Sequence, residues 1–442
     1  MRIVYYILII TFLQNCSFDD KSGIWKNSSE KIKKTDKNFK DFERVVLENE
    51  NFFNEIVELD KKFKFYLTPL KYQKKWNDFF YNVNNVNANF SYSEKNQIVF
   101  KSKKLSRNKI NTNILYDRNL LISSDSKGNI IIYSIKNRKI LHKYNFYKKK
   151  FKNIEKKLYY VLGDDFLYVS DNIGYLYAYN YLENSITWAK KFDAPFRSNL
   201  KIDNKKLFLS DENNNLFIIG AKSGNILRKI PSEEVLIKNN YENNIALNKK
   251  NLFFLNNFGS LYSINKDDLK VNWFINVNSS LNSNIDKLFF SNEIKVHNDN
   301  LIISSSNILQ VVNNETGSTK FKIPISSKVS PIINNDYIFI VSNDNYLISV
   351  QISSGKIIYS YEINQLISDY LETKKKEIKI NLIRLINNQI YIFLNNSYVV
   401  KLSVDGVVKK IFKLPKKINS NPIFIENSII YLNNKNKIII LN

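Results

Sequence analysis

The sequence predicts an all-β fold, an eight-bladed β-propeller of four-stranded antiparallel blades preceded by a short tether. The 442 residues include 30 Phe and 27 Tyr but 10 Gly and 7 Pro, and aromatic and β-branched residues favour strands. A pattern of strand, turn and strand recurs with a period of about 44 residues, which is typical of propellers. The last copy lacks its outer strand, which indicates that a segment from the N-terminal side closes the ring.

The N-terminal residues are typical of an export signal. Arg2 precedes an apolar run from Ile3 to Leu13, which is shorter than the roughly 20 residues that cross a bilayer. Cys16, the one cysteine of the sequence, follows soon after this run and is itself followed by polar residues. This arrangement resembles a bacterial lipobox, in which the cysteine is diacylated and becomes the new N-terminus. We therefore predict a signal peptide over 1–15 and a lipid on Cys16; a signal anchor with an incidental cysteine is the alternative.

The segment after Cys16 is predicted to be a lipidated tether over 16–65. Residues 17–36 are polar and rich in lysine, a composition typical of flexible linkers. Between 39 and 59 the apolar residues fall at helical intervals. This stretch forms either one or two short helices or an irregular arm, and the propeller is expected to fill 66–442.

Eight copies of the repeat define the predicted blades. In each copy an apolar strand leads into a turn built on Asn, Asp, Ser or Gly, and a second apolar strand follows. The copies span 120–133, 166–179, 207–218, 252–262, 301–312, 337–348, 390–400 and 429–440. The missing strand of the last copy is expected to come from 97–100 or from the segment around Trp76.

A further strand often carries an aromatic residue at a fixed place, which Leu141, Arg228 and Lys410 occupy in other copies. Trp188, Trp273, Phe321 and Tyr359 stand four residues beyond the glycine position of the preceding turn. Neighbouring blades need such a residue in order to pack face to face. We therefore expect these aromatic side chains to be core residues and not a stacking platform for bases.

The repeat resembles the PQQ-type propeller repeat. Together with the lipobox and the tether, it resembles the BamB family, the lipoprotein scaffolds of the outer-membrane β-barrel assembly machine. The resemblance implies a non-catalytic scaffold, lipid-anchored on the periplasmic face of the outer membrane. It further implies a monomer within a hetero-complex that binds the periplasmic repeats of the barrel-insertion protein. A different envelope lipoprotein that captures a glycan or peptide is the alternative, and a PQQ-dependent dehydrogenase is the enzymatic alternative.

The resemblance also implies a binding loop. In that family a loop between early blades binds the partner through apolar side chains and an arginine, and residues 193–199 look similar here. Pro195, Phe196, Arg197 and Asn199 are thus the expected partner-binding residues, with Phe196 as an exposed anchor and Arg197 as a fork for a carboxylate. A buried Phe196 and a solvated Arg197 are the alternative.

Few residues suit catalysis or metal binding. The two histidines, His142 and His297, stand in separate copies, which disfavours a zinc site or a Ser-His-Asp arrangement. One cysteine cannot form the vicinal disulfide that is common in the resembling quinoenzymes. We expect no catalytic residue, no metal, no cofactor and no nucleic-acid partner. The net charge of +25 reflects either solvated lysines in a biased composition or attraction to anionic lipid or an acidic partner.

Overall fold

The structure, a computed structural model, describes residues 52–147, 151–233, 241–278, 289–327 and 329–442. These ranges belong to one unit, Glu50–Asn442. The predicted signal peptide, Cys16 and residues 17–51 lie outside the described residues, so the predictions for them stay predictions.

Thirty-two strands in the described ranges form eight four-stranded antiparallel sheets. The first strand in the chain, β1 (Ile98–Lys101), belongs to the last blade. Blade 1 contains β2 (Leu115–Asp117), β3 (Leu120–Ser124), β4 (Asn129–Ser134) and β5 (Lys139–Asn145). Blade 2 contains β6 (Leu158–Leu162), β7 (Phe166–Asp171), β8 (Tyr175–Asn180) and β9 (Ser185–Lys191). Blade 3 contains β10 (Lys201–Asp203), β11 (Lys206–Ser210), β12 (Leu216–Gly220) and β13 (Ile226–Ile230).

The remaining blades repeat this order. Blade 4 contains β14 (Asn244–Leu247), β15 (Asn251–Leu255), β16 (Ser260–Asn265) and β17 (Val271–Asn276). Blade 5 contains β18 (Lys295–His297), β19 (Asn300–Ser304), β20 (Leu309–Asn313) and β21 (Thr319–Ile323). Blade 6 contains β22 (Ile332–Asn334), β23 (Tyr337–Val341), β24 (Tyr346–Gln351) and β25 (Ile357–Glu362). Blade 7 contains β26 (Ile380–Ile386), β27 (Gln389–Leu394), β28 (Tyr398–Ser403) and β29 (Val408–Lys413), and blade 8 contains β30 (Ile423–Ile425), β31 (Ser428–Leu432), β32 (Ile438–Leu441) and β1.

Both ends of the propeller meet in blade 8. β1 pairs antiparallel with β32, with Ile98 opposite Leu441 and Lys101 opposite Ile439. This confirms the prediction of an eight-bladed propeller and the expectation that 97–100 closes it. Trp76 instead exchanges two backbone hydrogen bonds with Tyr116 in β2, at 2.7 and 3.0 Å.

The Asp or Asn of the repeat has a structural role at the turn between the second and third strands of a blade. The Oδ1 atom of Asp171 accepts hydrogen bonds from the backbone N–H groups of Ile173 and Tyr175, at 2.9 and 2.8 Å. The same double acceptance occurs at Asp211 and at Asn256. Asp and Asn are favoured there because their short side chains satisfy turn amides that the ladder leaves unpaired.

Three of the fixed aromatic residues, Trp188, Trp273 and Phe321, join their blade to the next, as predicted. Trp188 of β9 packs on Gly224 of blade 3, where an added Cβ atom would lie 2.8 Å from the indole ring. The Trp188 Nε1–H group donates to the Ala221 carbonyl at 3.0 Å. Trp273 and Phe321 pack in the same way on the turn glycines of blades 5 and 6. These aromatic side chains are therefore packing residues.

The segment 76–92, here called the plug, crosses one end of the central channel that the first strands of the blades surround. Its backbone hydrogen bonds to these inner strands run from Leu162 N to Asn77 O, Leu247 N to Val83 O, Val296 N to Asn84 O and Asn387 N to Phe90 O. Leu162 and Leu247 end their strands, and Asn387 follows the end of β26. The plug therefore lies at the C-terminal ends of the inner strands.

Two further segments lie outside the blades. Residues 52–65 contact blades 5 and 6, where Phe53 N donates to Pro324 O at 2.8 Å and Phe65 packs against Tyr337 at 4.9 Å between ring centroids. A helix, α1 (Ile363–Leu371), occupies the loop between blades 6 and 7. The sequence analysis did not predict this helix.

Candidate partner-binding site

The predicted binding loop, residues 193–199, lies in the connection from β9 of blade 2 to β10 of blade 3. Loops of this kind lead into the inner strands at the end of the propeller opposite the plug, here called the loop face. The Phe196 N–H group donates to Asp171 O at 3.0 Å, and Arg197 N–H donates to Ser210 O at 2.9 Å. Asn243 N–H donates to Arg197 O at 2.9 Å. The loop backbone is thus fixed to three consecutive blades.

Phe196 is a core residue, so the expectation of an exposed anchor is corrected. Its side chain is 1% exposed and packs edge-on against Phe192 and Phe217, at centroid distances of 4.9 and 6.2 Å. The hydrogen bonds on either side of it turn the ring inwards, where burial of an aromatic side chain is favourable.

Arg197 already has a carboxylate partner within the chain. Its Nη2 atom lies 3.0 Å from Glu212 Oε2, and the two side chains are 17% and 9% exposed. This partly buried pair orients the guanidinium at the loop face and balances its charge. Arg197 is therefore not freely solvated, because its side chain is mostly covered.

The other two residues of the predicted site differ in exposure. Asn199 is 3% exposed, and its side-chain amide both donates to and accepts from the Ile245 backbone, at 2.9 Å each. It therefore positions the inner strand of blade 4. Pro195 is partly exposed, and its carbonyl accepts a hydrogen bond from Glu212 N–H at 2.8 Å.

Next to this loop lies a second charged group. Glu242 forms an ion pair with Lys157 of blade 2, with side-chain exposures of 34% and 54%. The Tyr159 hydroxyl donates to Glu242 Oε1 at 3.3 Å. Burial, and next the Glu242 charge, raise the pKa of Tyr159 well above its usual range, so this hydroxyl stays a donor at neutral pH. Glu242 is the acidic residue of the inter-blade loop that follows the predicted binding loop.

Two exposed aromatic side chains complete the surface, and the sequence analysis missed both. Tyr241 and Phe290 are 36% and 38% exposed, and their ring centroids lie 5.3 Å apart. They belong to loops of different blades, and the Asn244 side chain joins these loops by donating to Ser291 Oγ at 3.1 Å. Only the register of neighbouring blades brings them together, so no local sequence signal reveals the pair.

We use the name aromatic–charge surface for Lys157, Pro195, Arg197, Tyr241, Glu242 and Phe290. Exposed aromatic residues and arginine at the edge of a fixed polar network are typical of protein-binding surfaces. Within the described ranges, no group of three or more His, Cys, Asp and Glu side chains is arranged to hold a metal ion. No helix in the described part of the chain has the length and apolar character to cross a bilayer.

A family profile described as "Outer membrane protein assembly factor BamB" matches residues 128–361. The chain belongs to this family. The matched BamB range contains the whole aromatic–charge surface, from Lys157 to Phe290. No curated protein matches the chain.

Solved structures share the fold at low sequence identity. BamB from Moraxella catarrhalis matches with a TM-score of 0.62 and 14% identity, over 78% of this chain and 99% of that chain. The computationally designed Ika8 protein matches with a TM-score of 0.58 and 9% identity, over 78% and 99%. The C-terminal WD40 domain of Sif2 matches with a TM-score of 0.54 and 10% identity, over 78% and 97%. At these identities the likeness shows the propeller fold alone.

Proposed function

We propose that this BamB-family chain is a scaffold in outer-membrane protein assembly and that it binds a periplasmic domain of a barrel-assembly protein. The observation that carries the proposal is the family match over the blades that present the aromatic–charge surface. A scaffold needs a rigid surface and no reacting groups, and the Arg197 loop is held by backbone hydrogen bonds to three blades. The proposed role is non-catalytic, without metal or cofactor, for a monomer within the complex.

The aromatic–charge surface is the proposed contact. Tyr241 and Phe290 offer two adjacent rings that a partner would cover, and truncating aromatic residues at the centre of an interface typically costs about 2 kcal/mol or more. The ion pair of Lys157 with Glu242, which follows Tyr241 in the chain, and that of Arg197 with Glu212 add oriented charge to this surface. In this arrangement Phe196 supports the loop from below, and Arg197 and Pro195 contact the partner.

The proposed location is the periplasmic face of the outer membrane, through a lipid on Cys16. Two or more acyl chains on one cysteine give lasting attachment, whereas one chain gives marginal attachment. A Cys16→Ser variant should lose incorporation of labelled palmitate and leave the membrane fraction. Continued membrane attachment of that variant without label would contradict lipidation as the anchor.

Co-purification tests the function and the contact together. The tagged chain, extracted in detergent from its own membranes, should bring a barrel-assembly protein with it. A Tyr241→Ser/Phe290→Ser variant should recover roughly thirtyfold less of it, which corresponds to about 2 kcal/mol. Arg228→Glu, an exposed change on β13, is the matched control and should recover as much as the wild type.

The outcomes separate the two claims. If the wild type recovers no assembly protein, the proposed function is wrong. If the double variant recovers as much as the wild type, the function stands and the contact lies on another surface. Circular dichroism of each variant shows whether the propeller is folded before recovery is compared.

A further inference from the structure

Three inner strands carry a basic residue at the same position of the central channel. Lys201 in β10, Lys295 in β18 and Arg384 in β26 each stand two residues before the end of their strand. They belong to alternate blades, 3, 5 and 7. The hairpin register places Val161 of blade 2, opposite Tyr168, and Ala246 of blade 4, opposite Phe253, at the corresponding position, and both are apolar.

Both lysines contact the plug and have carboxylate partners. Lys201 Nζ lies 2.8 Å from each Asp78 carboxylate oxygen. Lys295 Nζ lies 3.0 Å from Glu293 Oε1 and donates to the Asn85 carbonyl at 2.8 Å. The two lysine side chains are 0% and 1% exposed. Each buried ammonium is therefore balanced by one carboxylate, which is the condition for burying a charge at tolerable cost.

Arg384 lacks such a partner. Its Nη1 group donates to the Ile383 carbonyl at 2.9 Å, and its Nε–H group is buried without a hydrogen-bond partner. No carboxylate in the described ranges forms an ion pair with it. Burial lowers its pKa, with Glu293 opposing the shift, but a guanidinium stays charged in proteins.

Among the described residues, the three channel cations have two carboxylates, Asp78 and Glu293, beside them, so one positive charge is in excess. Burial lowers the pKa of Lys295, Glu293 opposes this shift, and the charge of Arg384 adds to it. Arg384 is partly accessible to solvent, and because its Nε atom is covered, a small solute would meet the Nη2 group first. Because the plug covers the C-terminal ends of the inner strands, that solute would arrive from the loop face.

We propose that Arg384 binds a small oxyanion, a phosphate or a carboxylate, in the central channel. The unpartnered Nε–H group and the adjacent Nη2 group form the planar fork that guanidinium uses to hold two oxygens of such an anion. The charge of Lys295 also attracts the anion, and Lys295 keeps its hydrogen bond to Glu293. The anion balances the excess charge and satisfies the buried donor at once.

Thermal unfolding of the full chain with inorganic phosphate tests the proposal. Phosphate is titrated at constant ionic strength against a bulky organic buffer anion, since a chain of net charge +25 responds to ionic strength alone. The wild-type midpoint should rise with phosphate concentration, because a ligand that binds the folded state stabilises it. Arg384→Met should show no such rise, and its midpoint without phosphate should exceed that of the wild type because a buried unbalanced charge is gone.

Arg228→Met is the matched control and should respond to phosphate like the wild type. A parallel titration with acetate distinguishes the two kinds of anion. If phosphate stabilises the protein at the lower concentration, the ligand is a phosphate; if acetate does, the ligand is a carboxylate. A rise of equal size in Arg384→Met and the wild type would overturn the site. The absence of a wild-type response to both anions would overturn it as well.

A second variant keeps the test decisive if Arg384→Met does not fold. Arg384→Lys retains the charge but loses the fork, so half-maximal stabilisation should need about tenfold more phosphate. An unchanged phosphate dependence in Arg384→Lys would contradict binding through the guanidinium fork.

Discussion

Replacing Lys201 by methionine tests how much the buried ion pair between Lys201 and Asp78 of the plug contributes to stability. The ammonium group donates to both Asp78 oxygens at 2.8 Å and to Asn85 Oδ1 at 2.5 Å. Asp78 is itself 3% exposed, so the Lys201→Met variant leaves a carboxylate in the interior without its cation. Removing one partner of a buried pair costs about 3–5 kcal/mol, and we expect the free energy of unfolding to fall by that amount at neutral pH.

The pH dependence of this loss has a defined sign. Burial already raises the pKa of Asp78 above its ordinary value, and Lys201 opposes that rise. Without Lys201 the pKa rises further, and a carboxyl group with a raised pKa in the folded state stabilises the fold when it is protonated. The loss in free energy of unfolding that Lys201→Met causes should therefore become smaller as the pH falls from about 7 towards 5.

The double variant Asp78→Leu/Lys201→Met removes both charges and separates pairing from packing. It should regain most of the lost stability, because apolar replacement of both partners is often neutral. Urea unfolding followed by tryptophan fluorescence measures the wild type, both single variants and the double variant. A loss below about 1 kcal/mol in Lys201→Met, or equal losses in the single and double variants, would refute the reasoning.

Two further predictions concern packing and burial. Gly224→Ala should destabilise the protein by about 3 kcal/mol because the residue has a φ of +70° and faces Trp188. Gly220→Ala, in the same blade without a positive φ, should cost far less, and similar midpoints in a urea titration of the two variants would count against inter-blade docking. Burial raises the pKa of Tyr92 and Tyr181 to about 12, so Tyr92→Phe should leave the absorbance rise at 295 nm unchanged below about pH 11; a smaller rise near pH 10 would contradict this.

The repeat made the blades predictable from sequence. The turn residues, the apolar strands and the bulky outer residue recur locally, and each meets the same surroundings in every blade. The closing strand was predictable because the last copy is one strand short. Trp188 illustrates the principle, since its neighbours follow from the period alone.

The candidate site was less predictable because its contacts depend on single copies. Phe196 stands in a polar stretch, and its burial follows from Phe192 and Phe217, which local pattern does not link to it. Tyr241 and Phe290 meet only through the register of two blades. The contacts of the plug were equally hard to predict. Asn85 donates to the Ile294 carbonyl, which is 209 residues away in the sequence, and the plug itself is not part of the repeat.

The three basic residues of the central channel could have been recognised from the sequence. Aligning the copies shows Lys201, Lys295 and Arg384 where other blades have apolar residues such as Val161. A charged residue in an otherwise apolar inner strand is costly unless it is paired. Such positions therefore point to a partner from outside the repeat, as Asp78 of the plug is for Lys201.

Site-specific photo-crosslinking in cells tests the central claim most directly. A photoreactive phenylalanine derivative replaces Tyr241 on the aromatic–charge surface, and the same derivative replaces Val407, which is 50% exposed in the turn between β28 and β29, as the control. The account predicts a crosslink from position 241 to an outer-membrane barrel-assembly protein and none from position 407. Equal crosslinking from both positions, or none from position 241 in a folded and abundant protein, would contradict it.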